Sequence, residues 1–307
     1  MARPVAAIEH NANRAILILL LAQSILIFLD VSAKWLSVAG LPTSEIMFAR
    51  YALHVGLLLL FVLPMRGWHL FRTGNWKLEV ARGLCLLGST AGNFLSMRYL
   101  PLTVTGALLF TMPLMVCALS GPMLGETVGW RRWLAIAIGF FGILVIIRPG
   151  TEAFHPAALL SLAAAFFGAL FGIFTRKLAG VDGAMTQQLY AGGIALIAIT
   201  PFAMTGGWVW PSEPISWVAF FTLGTAGVLG HLLISVAHRY ATPATLAPFN
   251  YLQLLYLALA SWVIFNQPPD NWFFLGATII IGSGLYIWLR ERSLHKATTS
   301  VDELVER

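Results

Sequence analysis

The sequence predicts an all-α integral membrane protein with ten transmembrane helices, arranged as two inverted five-helix repeats. Three observations predict it. First, 58% of the 307 residues are hydrophobic and only 10% are charged, too few charges to cover the surface of a soluble protein of this size. Second, apolar runs of about 20 residues, the length that crosses a bilayer, recur along the chain. Third, the chain matches itself at a fixed offset. The net charge of +6 sits in short clusters between apolar runs, which points to a lipid surface and away from nucleic acid. Cys85 and Cys117 have neither metal-ligand nor disulfide-scaffold spacing and read as small core residues.

In chain order the expected spans are 15–38, 43–65, 80–98, 102–121, 130–148, 155–175, 184–204, 214–236, 244–266 and 272–289. The links between them are short and carry Pro, Gly or paired charges, as in "GETVGWRR", "RPGTEAFHP" and "NQPPDN". With a cytoplasmic N-terminus, fifteen of the 19 basic residues fall on inner segments. Only Lys34, Arg50, Arg98 and Arg148 lie on or near the other side. That asymmetry predicts an inner-membrane, multi-pass protein with cytoplasmic tails over 1–14 and 291–307. A cleavable secretory leader ending at Val31-Ser32-Ala33 is the competing reading of the first span, and would leave nine.

At an offset of 141, "MRYLPLTVTGALLFTMPLM" from Met97 lies over "HRYATPATLAPFNYLQLLY" from His238. Phe110 then falls on Tyr251 and Glu126 on Gln267. Each half, 15–148 and 155–290, holds five spans. Because five is odd, the second half must cross the membrane in the opposite sense. Inverted repeats characterise secondary transporters, with the site near the midplane between halves.

Residues 99–150, "YLPLTVTGALLFTMPLMVCALSGPMLGETVGWRRWLAIAIGFFGILVIIRPG", resemble the closing segment of an EamA repeat of the drug/metabolite transporter superfamily. The resemblance extends over nearly the whole chain as two tandem repeats. The second repeat departs from the pattern at Asn266-Gln267, where Gly-Glu is expected, which puts in doubt any role needing a carboxylate in both halves. The resemblance implies a ten-helix carrier whose cavity is lined by the first four helices of each half, with the fifth and tenth peripheral. It also implies a small organic substrate, the superfamily's known cargo including amino acids, nucleotide sugars, riboflavin and S-adenosylmethionine.

Charged and polar residues inside the spans are the candidate substrate-binding set. Sixteen residues from Arg14 to Asp30 make about 24 Å of helix against a core of about 30 Å, so Asp30 lies below the outer surface. Arg50 reaches a similar depth on the second span, and His54 lies about 6 Å deeper. Two readings stand. In one, Asp30, Arg50 and His54 border an aqueous cavity and Arg50 holds a carboxylate or other anionic part of the substrate. In the other, Asp30 and Lys34 form an i,i+4 ion pair and Arg50 completes a structural network. Asn93 and His231 lie mid-span and serve either as ligands or as helix–helix contacts. Asn250, Tyr251 and Gln253 follow Pro248, Pro113 marks a matching break in the fourth span, and Phe110 with Tyr251 forms a candidate aromatic wall. Glu126 reads as a cap or as a partner of Arg131 or Arg132.

No HExxH, GxSxG, P-loop or paired-His spacing is present, so the expectation is a carrier of a small amphipathic metabolite with no catalytic or metal residues and no cofactor. A channel or passive facilitator is the alternative, with an intramembrane enzyme a further one. Proton coupling is open, His54 and Asp30 being its titratable candidates. Oligomeric state is not legible.

Overall fold

The computed structural model describes residues 11–305 apart from 126–128, 179, 206, 242–245 and 247–248. Side chains at 12, 235, 238, 239 and beyond 289 are not described. Glu126 and Pro248 therefore lie outside the described residues, as does most of the N-terminal tail. Every regular element among the described residues is helical.

Helix α1 spans Ala12–Val38, capped by the Asn11 side chain, which accepts from the Arg14 N–H at 3.0 Å. After a turn at Gly40 (φ 92°), α2 covers Thr43–Leu57 and widens into one π-turn over Leu58–Val62 before continuing to Arg66. Pro64 explains the widening. It has no N–H for the Leu60 carbonyl and its ring would strike that carbonyl in a regular α-helix, so the Leu63 N–H reaches back to Leu58 instead. Helix α3, Trp76–Met97, is capped by Asn75 on the Leu78 N–H at 3.1 Å. Helices α4 (Leu102–Leu109) and α5 (Met112–Leu124) are the two parts of the fourth expected span, broken at Phe110–Thr111 ahead of Pro113. Then follow α6 (Trp130–Ile147), α7 (Ala157–Lys177), α8 (Ala184–Met204), α9 (Pro214–Tyr240), α10 (Leu252–Phe265) and α11 (Asn271–Val305).

Eight of these stretches are long and apolar enough to cross a membrane, α4 and α5 counting as one, with α10 a shorter apolar helix. The sequence expectation was ten. The difference falls on α3, 22 residues long but carrying Lys77, Glu79 and Arg82 in its first two turns, and on α10, which has 14 residues.

Contacts between turns fix the helix directions. At one end Asp182 accepts from the Thr73 hydroxyl (2.6 Å) and the Gly74 N–H (2.8 Å), and the Asn11 N–H donates to the Tyr240 carbonyl (3.2 Å). At the other end Arg148 pairs with Asp270 (2.8 Å), Tyr99 stacks on His155, and Trp35 donates to Ser216 (3.4 Å). Successive segments thus run antiparallel.

The 141-residue offset appears in the backbone. Gly125 ends α5 at φ 72°, and its repeat mate Asn266 ends α10 at φ 52°. Both cap a helix in the left-handed region, which Gly and Asn tolerate best. That is the backbone reason Asn266 can stand where the first repeat has glycine.

Helices α6 and α11 pack closely on each other. A Cβ at Gly142 would lie 2.9 Å from the Gly276 carbonyl oxygen, and one at Gly276 would lie 2.7 Å from that of Gly142. Backbone atoms cannot give way as a flexible side chain can. The double change Gly142→Ala and Gly276→Ala is therefore expected to destabilise the protein by about 1–3 kcal/mol or more through overpacking. The check is a lower midpoint of thermal aggregation in detergent.

Candidate functional site

Five helices each turn a helical row of side chains toward one cavity. Helix α2 supplies Arg50, Tyr51 and His54, α3 supplies Arg82 and Leu86, and α7 supplies Phe171 and Thr175. Helix α8 supplies Gln188 and Gly192, and α9 supplies Leu223, Gly224, Gly227 and His231. Spacings of three and four residues put each set on one helix face. The enclosed volume is about 160 Å³. His54, Gln188 and His231 also line a second, adjoining cavity of about 550 Å³. That one is walled by the π-turn of α2 and by apolar residues of α9, and it reaches the exposed Met65 and Arg66.

Repeat mates meet in the smaller cavity. Tyr51 and Gly192, Arg82 and Leu223, and Leu86 and Gly227 are pairs at the 141 offset, and all six line it. It therefore lies between the halves, where an inverted-repeat carrier holds its ligand.

Arg50 donates from Nη1 to the Thr90 hydroxyl oxygen at 3.0 Å, and Tyr51 donates to the same oxygen at 2.6 Å. The Arg50 guanidinium lies 5.3 Å from the Tyr51 ring centre and 5.4 Å from that of Phe94. Its charge acts on Asp30, His54 and His231. Arg82 is more fully held. It donates to Thr175 (2.7 Å) and to the Gln187 carbonyl (2.6 Å), pairs with Glu79 (3.5 Å), and stacks 4.4 Å over the Phe171 ring. Among the described residues, His54 Nε2 and Asn93 Oδ1 are buried without a hydrogen-bond partner, and the Gln188 backbone lies beside the His54 ring.

Of the nine residues singled out in the sequence, Arg50, His54 and His231 are on the cavity wall. Asp30 lies behind it, within electrostatic reach of Arg50. Asn93 is buried one turn beyond Thr90 on α3. Phe110 and Tyr251 come together at 5.6 Å, each at the helix break of its own repeat. Asn250 accepts from Gln23 Nε2 at 3.1 Å, and Gln253 lines neither cavity. Sequence reasoning missed Arg82, Gln188, Phe171, Thr175 and Gln23. Arg82 had a signal, since it recurs with Leu86 and Thr90 at i, i+4 and i+8, but the positive-inside count absorbed it as an end-of-helix charge.

The Asp30–Lys34 ion pair does not form. The Lys34 ammonium, in a residue only 2% exposed, donates to the Leu100 carbonyl (2.8 Å) and to Gln267 Oε1 (2.6 Å), above the Phe265 ring. Helix α1 and two turns, one from each half, meet there. Nearby, both Glu45 carboxylate oxygens accept from the Val209 N–H at 3.1–3.2 Å. Cross-half contacts tie this end of the bundle together, while the large cavity lies toward the end that carries Met65 and Arg66.

A bundle of long apolar helices in two tandem copies, with a polar cavity at their junction, has the layout of a solute transporter. The EamA-like transporter family matches this chain twice, over residues 13–148 and 155–289. The chain belongs to that family. It is 29% identical to a riboflavin transporter of Vibrio cholerae, covering 94% of this chain and 97% of the relative. It is 30% identical to an S-adenosylmethionine uptake transporter of Rickettsia prowazekii over 86% of this chain and 88% of the relative. A crystal structure 18% identical in sequence superposes with a TM-score of 0.62 over 92% of this chain and 99% of that one, and shares the fold.

Proposed function

We propose that the protein is a secondary carrier of a small amphipathic organic metabolite, working by alternating access in a bacterial inner membrane. The observation that carries this is the cavity between the halves, walled by repeat mates and bearing Arg50, Arg82, His54 and His231. In this reading α3 and α10 complete ten crossings, the second five-helix unit is inverted, and both termini are cytoplasmic. The Lys34–Gln267 contact closes the outer end, and the cavity reaching Arg66 opens inward. The relatives named for riboflavin and S-adenosylmethionine support a cargo of metabolite size. Asp30 and His54 are the proposed proton couplers, and rates indifferent to a pH gradient would dismiss them.

The test is purified protein in liposomes with radiolabelled flavin or S-adenosylmethionine. A carrier saturates and shows counterflow, whereas a channel does neither and an enzyme alters the solute. Membrane-impermeant labelling of single cysteines at Thr151 and Thr73 checks the topology. They are expected to react from opposite sides, Thr73 from the cytoplasm, and reaction from one side would overturn the inverted arrangement.

A further inference from the structure

We infer, resting on the carrier reading, that the site selects an amphipathic organic anion, whose carboxylate or phosphate head docks on Arg50 while its apolar body fills the adjoining larger cavity. Among the described residues, the charged groups on the smaller cavity's wall are Arg50 and Arg82, and no carboxylate lines it. The two arginines differ in what they have left to give. Arg82 already holds Thr175, the Gln187 carbonyl and Glu79. Arg50 has Thr90 as its hydrogen-bond acceptor among the described residues, through one of its five N–H groups. Asp30 acts on Arg50 electrostatically, but no ion pair within 4 Å joins them among the described residues.

A guanidinium with spare, forked donors on a cavity wall is matched by a planar carboxylate or by a phosphate, which it binds bidentately. His54 Nε2, buried and without a hydrogen-bond partner among the described residues, adds a second polar anchor on the same wall. A sulfonium or ammonium placed there would face the two guanidinium groups directly, since Asp30 and Glu79, the acids that act on them, are not among the described residues of the wall. The larger cavity, walled by Leu57, Leu58, Phe61, Val62 and Leu229, offers the remainder of the ligand an apolar lining.

The test changes charge within pairs of closely related ligands, with binding to the full-length protein in nanodiscs as the readout. Indole-3-acetate is compared with indole-3-acetamide, flavin mononucleotide with riboflavin, and S-adenosylmethionine with its neutral thioether, S-adenosylhomocysteine. At least one anion is expected to bind ten-fold or more tighter than its neutral partner. A carboxylate-only or phosphate-only preference identifies which head the site takes. S-adenosylmethionine is expected to bind more weakly than its thioether. Arg50→Gln should bring each pair within about two-fold while the protein stays monodisperse, and Arg50→Lys should keep part of the preference. Equal affinities within every pair, a preference for the sulfonium, survival of the preference in Arg50→Gln, or no binding of either anion would each overturn the proposal. Counterflow is read separately: an anion preference without counterflow would sink the carrier reading and leave the anion site standing.

Discussion

Arg50→Gln is expected to lower the initial rate of substrate uptake into proteoliposomes by about 10- to 100-fold, with the amount of folded protein unchanged. A hydrogen bond to a charged group contributes about 1.5–3 kcal/mol, and each 1.4 kcal/mol is a factor of ten. Glutamine keeps a neutral amide donor at the site beside Tyr51 and Phe94, on a side chain two bonds shorter than the one that reaches the Thr90 hydroxyl. What is lost is the forked cation facing the cavity. Thr90→Val supplies the contrast. It removes the acceptor shared by Arg50 and Tyr51 and should loosen the arginine, with a smaller fall in rate than Arg50→Gln. Uptake at the unaltered rate by well-folded Arg50→Gln protein would remove Arg50 from the substrate site.

Lys34→Met is expected to lower stability by about 3–5 kcal/mol, the range for removing one partner of a buried charged contact. The methionine leaves the Leu100 carbonyl and the Gln267 amide without their donor, in a place only 2% of Lys34 reaches solvent. The double variant Lys34→Met with Gln267→Leu is expected to recover part of the loss, because an apolar pair no longer strands the amide. Resistance to unfolding by SDS in mixed micelles reads both. A single variant as stable as the parent would mean that the ammonium is not what ties α1 to the two neighbouring turns. In the carrier reading the same contact shuts the outer end, so the double variant should also change how fast that end opens to a membrane-impermeant thiol reagent at a cysteine placed at Ser37.

Much of this architecture was legible before any coordinates. Each span must satisfy its own backbone polar groups in lipid, so it is written as a continuous apolar run that can be counted. The repeat could be aligned because its backbone constraints recur, as with Gly125 and Asn266 in left-handed caps and Phe110 and Tyr251 at the two helix breaks. The count of ten overstated what length and apolarity establish for α3, whose first turns carry Glu79 and Arg82, and for α10 with its 14 residues.

Pairing was not legible. Asp30 and Lys34 look like partners because they stand one turn apart, yet a lysine's long flexible stem can carry its ammonium to acceptors on other elements. Those acceptors lie 66 and 233 positions away in the chain. Arg82 looked like an ordinary end-of-helix cation until α7 and α8 brought Thr175 and the Gln187 carbonyl against it. By itself, then, the sequence determined that the chain is a doubled bundle of long apolar helices and that Arg50, His54 and His231 are polar groups placed within them. Tertiary structure alone decided what those groups touch. Hydropathy and backbone propensity act within a few residues, whereas the rotation of each helix about its axis is set by packing against neighbours from the other half, and that rotation aims every side chain.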